Sequence, residues 1–245
     1  MASQIFGKLG EEVEEEIKGV EINKVGYFEK PMVFDLFTFI MIITFGIAVF
    51  FNITFLNSTV DLERQKAIVN IGLVSLFMFG FGLKAFSDNL KLVDDNTGMV
   101  TEERLTSSQL ELFNAKGILT TFLGVGINLG VSLGISIFLA QVPLSIFDIT
   151  LEQITFAIIS SVAEEMFFLG LQDVIGSMAG IVTIPINIGI FGLYHGFVYA
   201  EHLVALIYVL IIRGVYAGIY SWLKRPSCSM IAHLASNVIA LIQLG

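Results

Sequence analysis

The stretch Ser160-Ser161-Val162-Ala163-Glu164-Glu165-Met166-Phe167-Phe168-Leu169-Gly170 decides how this chain is read. Two adjacent carboxylates stand inside a long apolar run. On insertion scales, one charged side chain at the centre of a membrane span costs about 2.5–3.5 kcal/mol. Two in succession call for a water-filled cavity, a proton or a cationic partner. The rest of the sequence is read for the groups that supply them.

Around this stretch, apolar runs of about 20 residues recur, each long enough to cross about 30 Å of hydrocarbon as a helix. Only 14% of the 245 residues are charged, against about 25% in a soluble domain. The fold class expected is all-α: a polytopic membrane helical bundle of about seven transmembrane helices. The short alternating strands of a β-barrel are absent from the pattern. The net charge of −9 argues against a nucleic-acid partner. One cysteine, Cys228, excludes an internal disulfide and a cysteine metal cage and reads as a small packing residue. Residues 1–30 lack the basic start and apolar core of a signal peptide. They read as an acidic cytosolic amphipathic segment, with Phe6, Leu9, Val13 and Ile17 on one helical face and Glu11, Glu12 and Glu14 to Glu16 opposite. Anionic headgroups repel that acidic face. Residues 31–245 form one membrane-embedded domain, with no linker and no internal repeat.

The spans are placed at about 33–56, 67–83, 117–140, 150–174, 179–199, 202–223 and 226–244, with residues 84–116 as the long polar connection. Ser108-Gln109-Leu110-Glu111 and Thr150-Leu151-Glu152-Gln153 read as capping boxes starting the third and fourth helices. Gly126, Gly130 and Gly134 make a small-xxx-small face for close helix packing, and Pro185 marks a kink. Asn57-Ser58-Thr59 matches a glycosylation sequon. Lys8, Lys18, Lys24, Lys30, Lys84, Lys91, Arg104, Lys116, Lys224 and Arg225 fall on the N-terminal side, and only Arg64 and Lys66 on the other. This asymmetry places the N-terminus in the cytoplasm and the C-terminus outside.

At about 1.5 Å per residue, Glu164 lies roughly 15 Å from the cytoplasmic end of its helix, His233 and Asn237 roughly 9 and 15 Å from theirs, and His195 roughly 22 Å in. His233 and Asn237 share a helix face. Each has a packing reading: an intramembrane His or Asn can bond a neighbouring helix, Arg213 can be a structural counter-ion, and His202 beside Glu201 reads as interfacial. The conjunction at one depth points to hydrolysis. A carboxylate beside an apolar wall can take a proton from water, and an imidazole can orient that water. A second imidazole and an amide can donate hydrogen bonds to a developing oxyanion. Zinc, held by His195, His233 and Glu164, is the rival. Two points set it aside, so no cofactor is expected. The Asn237 amide would sit beside the ion, and no acidic residue lies within a turn of either histidine to take its second N–H. A proton-relay transporter using Glu164 and Glu165 would call for a repeated half with interrupted helices, and none is seen.

Glu164-Glu165-x-x-x-Leu169-Gly170, Phe191-x-x-x-His195 and His233-x-x-x-Asn237 resemble the three motifs of the CAAX-protease and bacteriocin-processing (Abi) family of intramembrane glutamate endopeptidases, which includes the Ras-converting type of prenyl endopeptidase. The resemblance covers about residues 150–240. It implies that Glu164 is the catalytic base, that His195 assists it, and that His233 and Asn237 form the oxyanion site in a cytosol-facing cavity. Peptides or lipidated proteins, including C-terminal CAAX-like prenylated peptides, are the substrates it implies. The family's first motif is EExxxR, and Leu169 stands at its arginine position. Arg213 is expected in its place, within salt-bridge reach of Glu165 or Glu164. The alternative is an inactive relative acting as a membrane binding, scaffold or immunity protein. Nothing in the sequence sets an oligomeric state.

Overall fold

A computed structural model of the chain describes residues 33–56, 61–95, 110–111, 113–140, 150–179, 182–196 and 203–244. The acidic segment, the sequon, Glu201 and His202 lie outside the described residues. Seven helices are described: α1 (Leu36–Phe51), continued by a π-helical turn at Asn52–Leu56, α2 (Leu62–Asp95), α3 (Ala115–Ala140), α4 (Leu151–Ala179), α5 (Thr183–Gly196), α6 (Leu203–Leu223) and α7 (Pro226–Leu244). A two-residue parallel pairing of β1 (Phe34–Asp35) with β2 (Leu110–Glu111) is their only described companion. The chain is an all-α membrane bundle. α1 with its π turn, α2, α3, α4 and α6 are each long and apolar enough to cross a membrane. The 14 residues of α5 span only about 21 Å at the helical rise. In α7, Ser227, Ser229, His233, Ser236 and Asn237 dilute the apolar character.

α4 is the central helix. Of its apolar window, 67% is buried within the protein, against 22–33% for the other four. It packs on α1, α2, α5 and α7. α2 crosses it closely at two glycines: a side chain at Gly82 would collide with the Met166 carbonyl, and a Cβ at Gly170 would lie 3.0 Å from Gly82 Cα. Around this crossing Met78, Phe86, Ile159, Val162, Met166, Phe168 and Leu169 form the core with Met41 and Phe45 of α1.

Polar pairs join alternate helix ends, which fixes the up-and-down order. At one end, Arg64 of α2 holds Glu152 of α4 at 2.7 Å. At the other, Asp35 caps α1 by accepting from the Thr38 backbone N–H and hydroxyl, both at 2.8 Å. Its second oxygen accepts from Thr121 of α3 at 2.6 Å and Ser227 of α7 at 2.7 Å, with Arg225 at 3.5 Å. Beside it Lys224 pairs with Asp173 of α4 at 2.7 Å, and Tyr220 donates to the same carboxylate at 2.6 Å. Lys224 adopts φ 53°, the left-handed region, which turns α6 sharply into α7. Both cations of this turn are buried and ion-paired. They hold the turn together at the end of the bundle where the charge count places them.

Several sequence expectations are corrected. Leu110-Glu111 does not open a helix. Its backbone pairs with Phe34-Asp35, and α3 starts at Ala115, where Asn114 accepts from the Lys116 N–H. α2 continues through the supposed polar connection to Asp95. Pro185 lies in the first turn of α5, where no intrahelical N–H is needed, so it makes no kink. Gly126, Gly130 and Gly134 are exposed, with nothing within 4 Å of a Cβ built on any of them. The packed face of α3 is the other one, Thr121, Gly124, Asn128 and Ser132. There, Gly124 makes room for Cys228, whose sulfur would lie 2.6 Å from an added Cβ. The second capping box forms: the Thr150 N–H donates to Gln153 Oε1 at 2.9 Å and the Gln153 N–H to Thr150 Oγ1 at 3.2 Å.

Candidate functional site

Adjacent residues on a helix point about 100° apart, so Glu164 and Glu165 leave α4 toward different surroundings. Glu165 is fully buried, and two cationic or polar groups saturate it. Arg213 of α6 places Nη1 2.9 Å from Oε2, and His233 Nδ1 of α7 lies 2.9 Å from Oε1. The Arg213 guanidinium is held through two of its three nitrogens, while Nη2 is buried with no hydrogen-bond partner among the described residues. Its Nε donates to Asn187 Oδ1 at 2.7 Å, and Asn187 in turn donates to the Phe168 carbonyl at 2.6 Å. The rings of Phe168 and Phe191 lie 5.2 and 5.3 Å from the guanidinium, a cation–π arrangement that burial of the side chain strengthens. Leu169, where the motif resembled by the sequence carries an arginine, is buried in the apolar core. The charge partner of Glu165 therefore arrives from another helix.

Glu164 faces a cavity of about 500 Å³ between α4, α5, α6 and α7. His195, His233, Asn237, Ser160 and Arg213 also line it. All four residues assigned to hydrolysis from the sequence thus meet in one place. Glu164 Oε2 is buried and accepts no hydrogen bond, and His195 Nε2 and His233 Nε2 lie 3.6 and 3.9 Å from it. The other ring nitrogens fix the tautomers. His195 Nδ1 lies 3.1 Å from the Phe191 carbonyl, an acceptor, so Nδ1 carries the proton. His233 Nδ1 faces the Glu165 carboxylate and carries one for the same reason. Both imidazoles therefore turn Nε2 toward Glu164. Phe191 stacks on His195 with centroids 4.1 Å apart, which explains the spacing of four between them.

Asn237 directs its amide to α4, with Nδ2 3.0 Å from Ser161 Oγ and 3.3 Å from Ser160 Oγ. The opposite wall of the cavity is apolar, formed by Ala205, Tyr208, Val209 and Ile212 of α6. A smaller recess of about 230 Å³ lies on the α2 side and shares Ser160, Glu164 and Tyr194 with the first. The carboxylate of Glu164 therefore sits at the partition between two hollows.

One of the two sequence arguments against a metal falls away. Both histidines have acceptors for their second N–H, a carbonyl one turn earlier and a carboxylate from another helix, which sequence spacing could not reveal. Among the described residues, no group of three His, Cys, Asp or Glu side chains is placed to hold a metal ion. Sequence reasoning missed Asn187, a single amide within the apolar run Ile186-Asn187-Ile188. An isolated polar residue at that depth is signal enough to have named it. It also assigned no role to Ser160 and Ser161. Compared with known proteins, the chain matches no family model, no curated protein and no solved structure.

Proposed function

We propose that this protein is an intramembrane endopeptidase that hydrolyses a peptide bond with a Glu164-activated water. The observation that carries the reading is the unbonded, buried carboxylate oxygen of Glu164, flanked by two imidazole Nε2 atoms at 3.6 and 3.9 Å on the wall of a cavity. A carboxylate without a hydrogen-bond donor is free to accept a proton from water. His195, held by the Phe191 carbonyl and stacked on the Phe191 ring, orients that water. The water oxygen bonds to the scissile carbonyl carbon as its proton passes to Glu164. The oxyanion so formed takes hydrogen bonds from the Asn237 amide and from His233 Nε2 when that ring is charged. Glu165, neutralised by Arg213, holds His233 in the orientation this requires. The carbon–nitrogen bond then breaks, and the proton held at Glu164 passes to the leaving amine. In a site closed to bulk water each of these hydrogen bonds is worth more than in solution. The apolar α6 wall suits aliphatic or aromatic side chains of the substrate.

The resemblance to the CAAX-protease and bacteriocin-processing family supports the same reading, and Arg213 answers its one departure by supplying the charge that Leu169 lacks. The test is a cleavage screen of purified protein in lipid against peptide libraries, with and without a C-terminal prenyl group. Cleavage that Glu164→Ala abolishes is expected. Peptide capture without cleavage would overturn the reading in favour of a binding or scaffold protein.

Hydrolysis by this route calls for no metal ion, because a cation at His233 would have the Asn237 amide beside it, where the scheme needs an oxyanion. Activity is expected to survive exhaustive chelation. Stoichiometric zinc, with activity lost to chelator and restored by zinc alone, would make His195, His233 and Glu164 ligands instead.

The loop cations support a cytoplasmic N-terminus and an outward C-terminus, with the Asp35 end of the bundle in the cytosol. In a Cys228→Ala background, Lys8→Cys and Lys91→Cys are expected to label only from the cytoplasmic face and Val60→Cys only from outside. Labelling of position 91 from outside would reverse the assignment of α2.

A further inference from the structure

We propose that Ser161 is a positioning residue for Asn237, doing for that amide what Glu165 does for His233; the proposal rests on the hydrolytic reading of the site. α4 and α7 run antiparallel, and their polar side chains meet in two rungs spaced four residues apart on each helix. One rung is Glu165 Oε1 with His233 Nδ1 at 2.9 Å. The other is Ser161 Oγ with Asn237 Nδ2 at 3.0 Å. In each rung the α4 member is 0% exposed, and the residue just before it, Glu164 or Ser160, lines the cavity. Buried groups on α4 thus anchor the polar side chains of α7, and their neighbours face the substrate.

The chemistry of Ser161 decides which way the amide points. Its hydroxyl proton is committed to the Ala157 carbonyl at 2.6 Å, so toward α7 the oxygen can only accept. An asparagine turned the other way would set its carbonyl oxygen against those lone pairs, leaving two buried acceptors unpaired at a cost of about 1–3 kcal/mol each. The NH2 group must therefore face α4, an orientation that follows from the bonding. The second amide proton is held less tightly. On that side Asn237 Nδ2 lies 3.3 Å from Ser160 Oγ, which itself donates to the Ala157 carbonyl over a long 3.3 Å. Ser161 keeps one N–H. Ser160, at the cavity edge, can release the other to a substrate oxyanion. Neither serine is a nucleophile in this scheme, and Glu165 and Ser161 have the same task at successive turns.

The experiment has two arms, both on the full chain in lipid. In the first, an internally quenched peptide library serves as probe, and kcat and KM are measured for the best-cleaved member. Ser161→Ala is expected to lower kcat about 10–100-fold with KM unchanged, less than the about 10²–10³-fold for losing an oxyanion donor outright, because the amide itself remains. Ser161→Thr, which keeps the hydroxyl, should restore at least part of the rate. Ser161→Ala combined with Asn237→Ala should be no slower than Asn237→Ala alone, since residues acting through one contact are not additive. Losses that multiply, or an unchanged kcat in Ser161→Ala, overturn the proposal. In the second arm the Asn237 side-chain amide is followed by NMR in protein labelled at asparagine. Its two protons are expected to resonate apart and exchange slowly, and Ser161→Ala should abolish both features while Ser221→Ala leaves them intact. An unmoved signal in Ser161→Ala overturns the proposal. If the unmutated protein cleaves no peptide, the hydrolytic reading fails on its own, and the amide signal alone decides whether Ser161 orients Asn237.

Discussion

Glu164→Gln is expected to lower kcat for peptide hydrolysis by about 10²–10⁴-fold, the usual contribution of a general base, while the protein stays folded in lipid. The substitution keeps the shape of the side chain and removes its ability to take a proton. Stability should hold, because Glu164 Oε2 accepts no hydrogen bond that the glutamine would lose. Replacing a buried, unbonded charge by a neutral group is neutral or stabilising for the fold. The rate is read with the best peptide from the library screen, and folding by the thermal unfolding profile. A Gln variant with more than about a tenth of the original rate would remove Glu164 from the role of base, since even a weak general base contributes about a hundredfold. Loss of activity together with a collapsed unfolding profile would instead make Glu164 a structural group.

The second large effect is expected at Arg213. Its guanidinium and the Glu165 carboxylate are both 0% exposed and 2.9 Å apart. Removing one member of a buried pair leaves the other uncompensated, at a cost of about 3–5 kcal/mol. Arg213→Met should therefore lower the unfolding temperature by about 10 °C, given roughly 2–4 °C per kcal/mol for a chain of this size. Arg213→Lys should not rescue it fully, because an ammonium cannot bond Asn187 and Glu165 together as the planar fork does. The double variant Arg213→Met with Glu165→Gln should recover much of the loss, since the buried charge is then gone. Its activity should stay low, because His233 would lose the carboxylate that orients it. A shift of less than about 2 °C in Arg213→Met, under 1 kcal/mol on that scale, would mean that the pair contributes nothing to the fold.

Much of the bundle was legible because the bilayer imposes lengths. A run of about 20 apolar residues has few fates other than a membrane helix, and five of the seven runs placed from the sequence become helices long and apolar enough to cross, whereas the run at 179–199 yields the 14 residues of α5. The spacing of four within Phe191 to His195 and His233 to Asn237 was equally legible, because the helical period places such pairs on one face whatever surrounds them. The capping box at Thr150 forms for a similarly local reason. The box at Ser108 fails at Leu110-Glu111 because a competing partner, the Phe34-Asp35 backbone, lies 76 residues away at the nearest registered pair, Phe34 with Leu110, beyond any local pattern.

The sequence by itself determined a helical membrane protein, the helices that carry two carboxylates, two histidines and an asparagine, and which of them share a face. Only the tertiary structure decided what each one meets. Glu164 and Glu165 are adjacent and chemically identical. The rotation of α4 against α6 and α7 gives one a guanidinium and an imidazole as partners and leaves the other with a bare oxygen on a cavity wall. Arg213, Asn187 and Ser161 lie 48, 22 and 4 residues from the glutamates they serve or neighbour, as counted from Glu165, and no motif joins them. The glycine stripe of α3 points away from the bundle for the same reason that its direction was unreadable. In a membrane helix the lipid-facing side is as apolar as the packed side, so hydropathy, which separates inside from outside in water, carries no such information here.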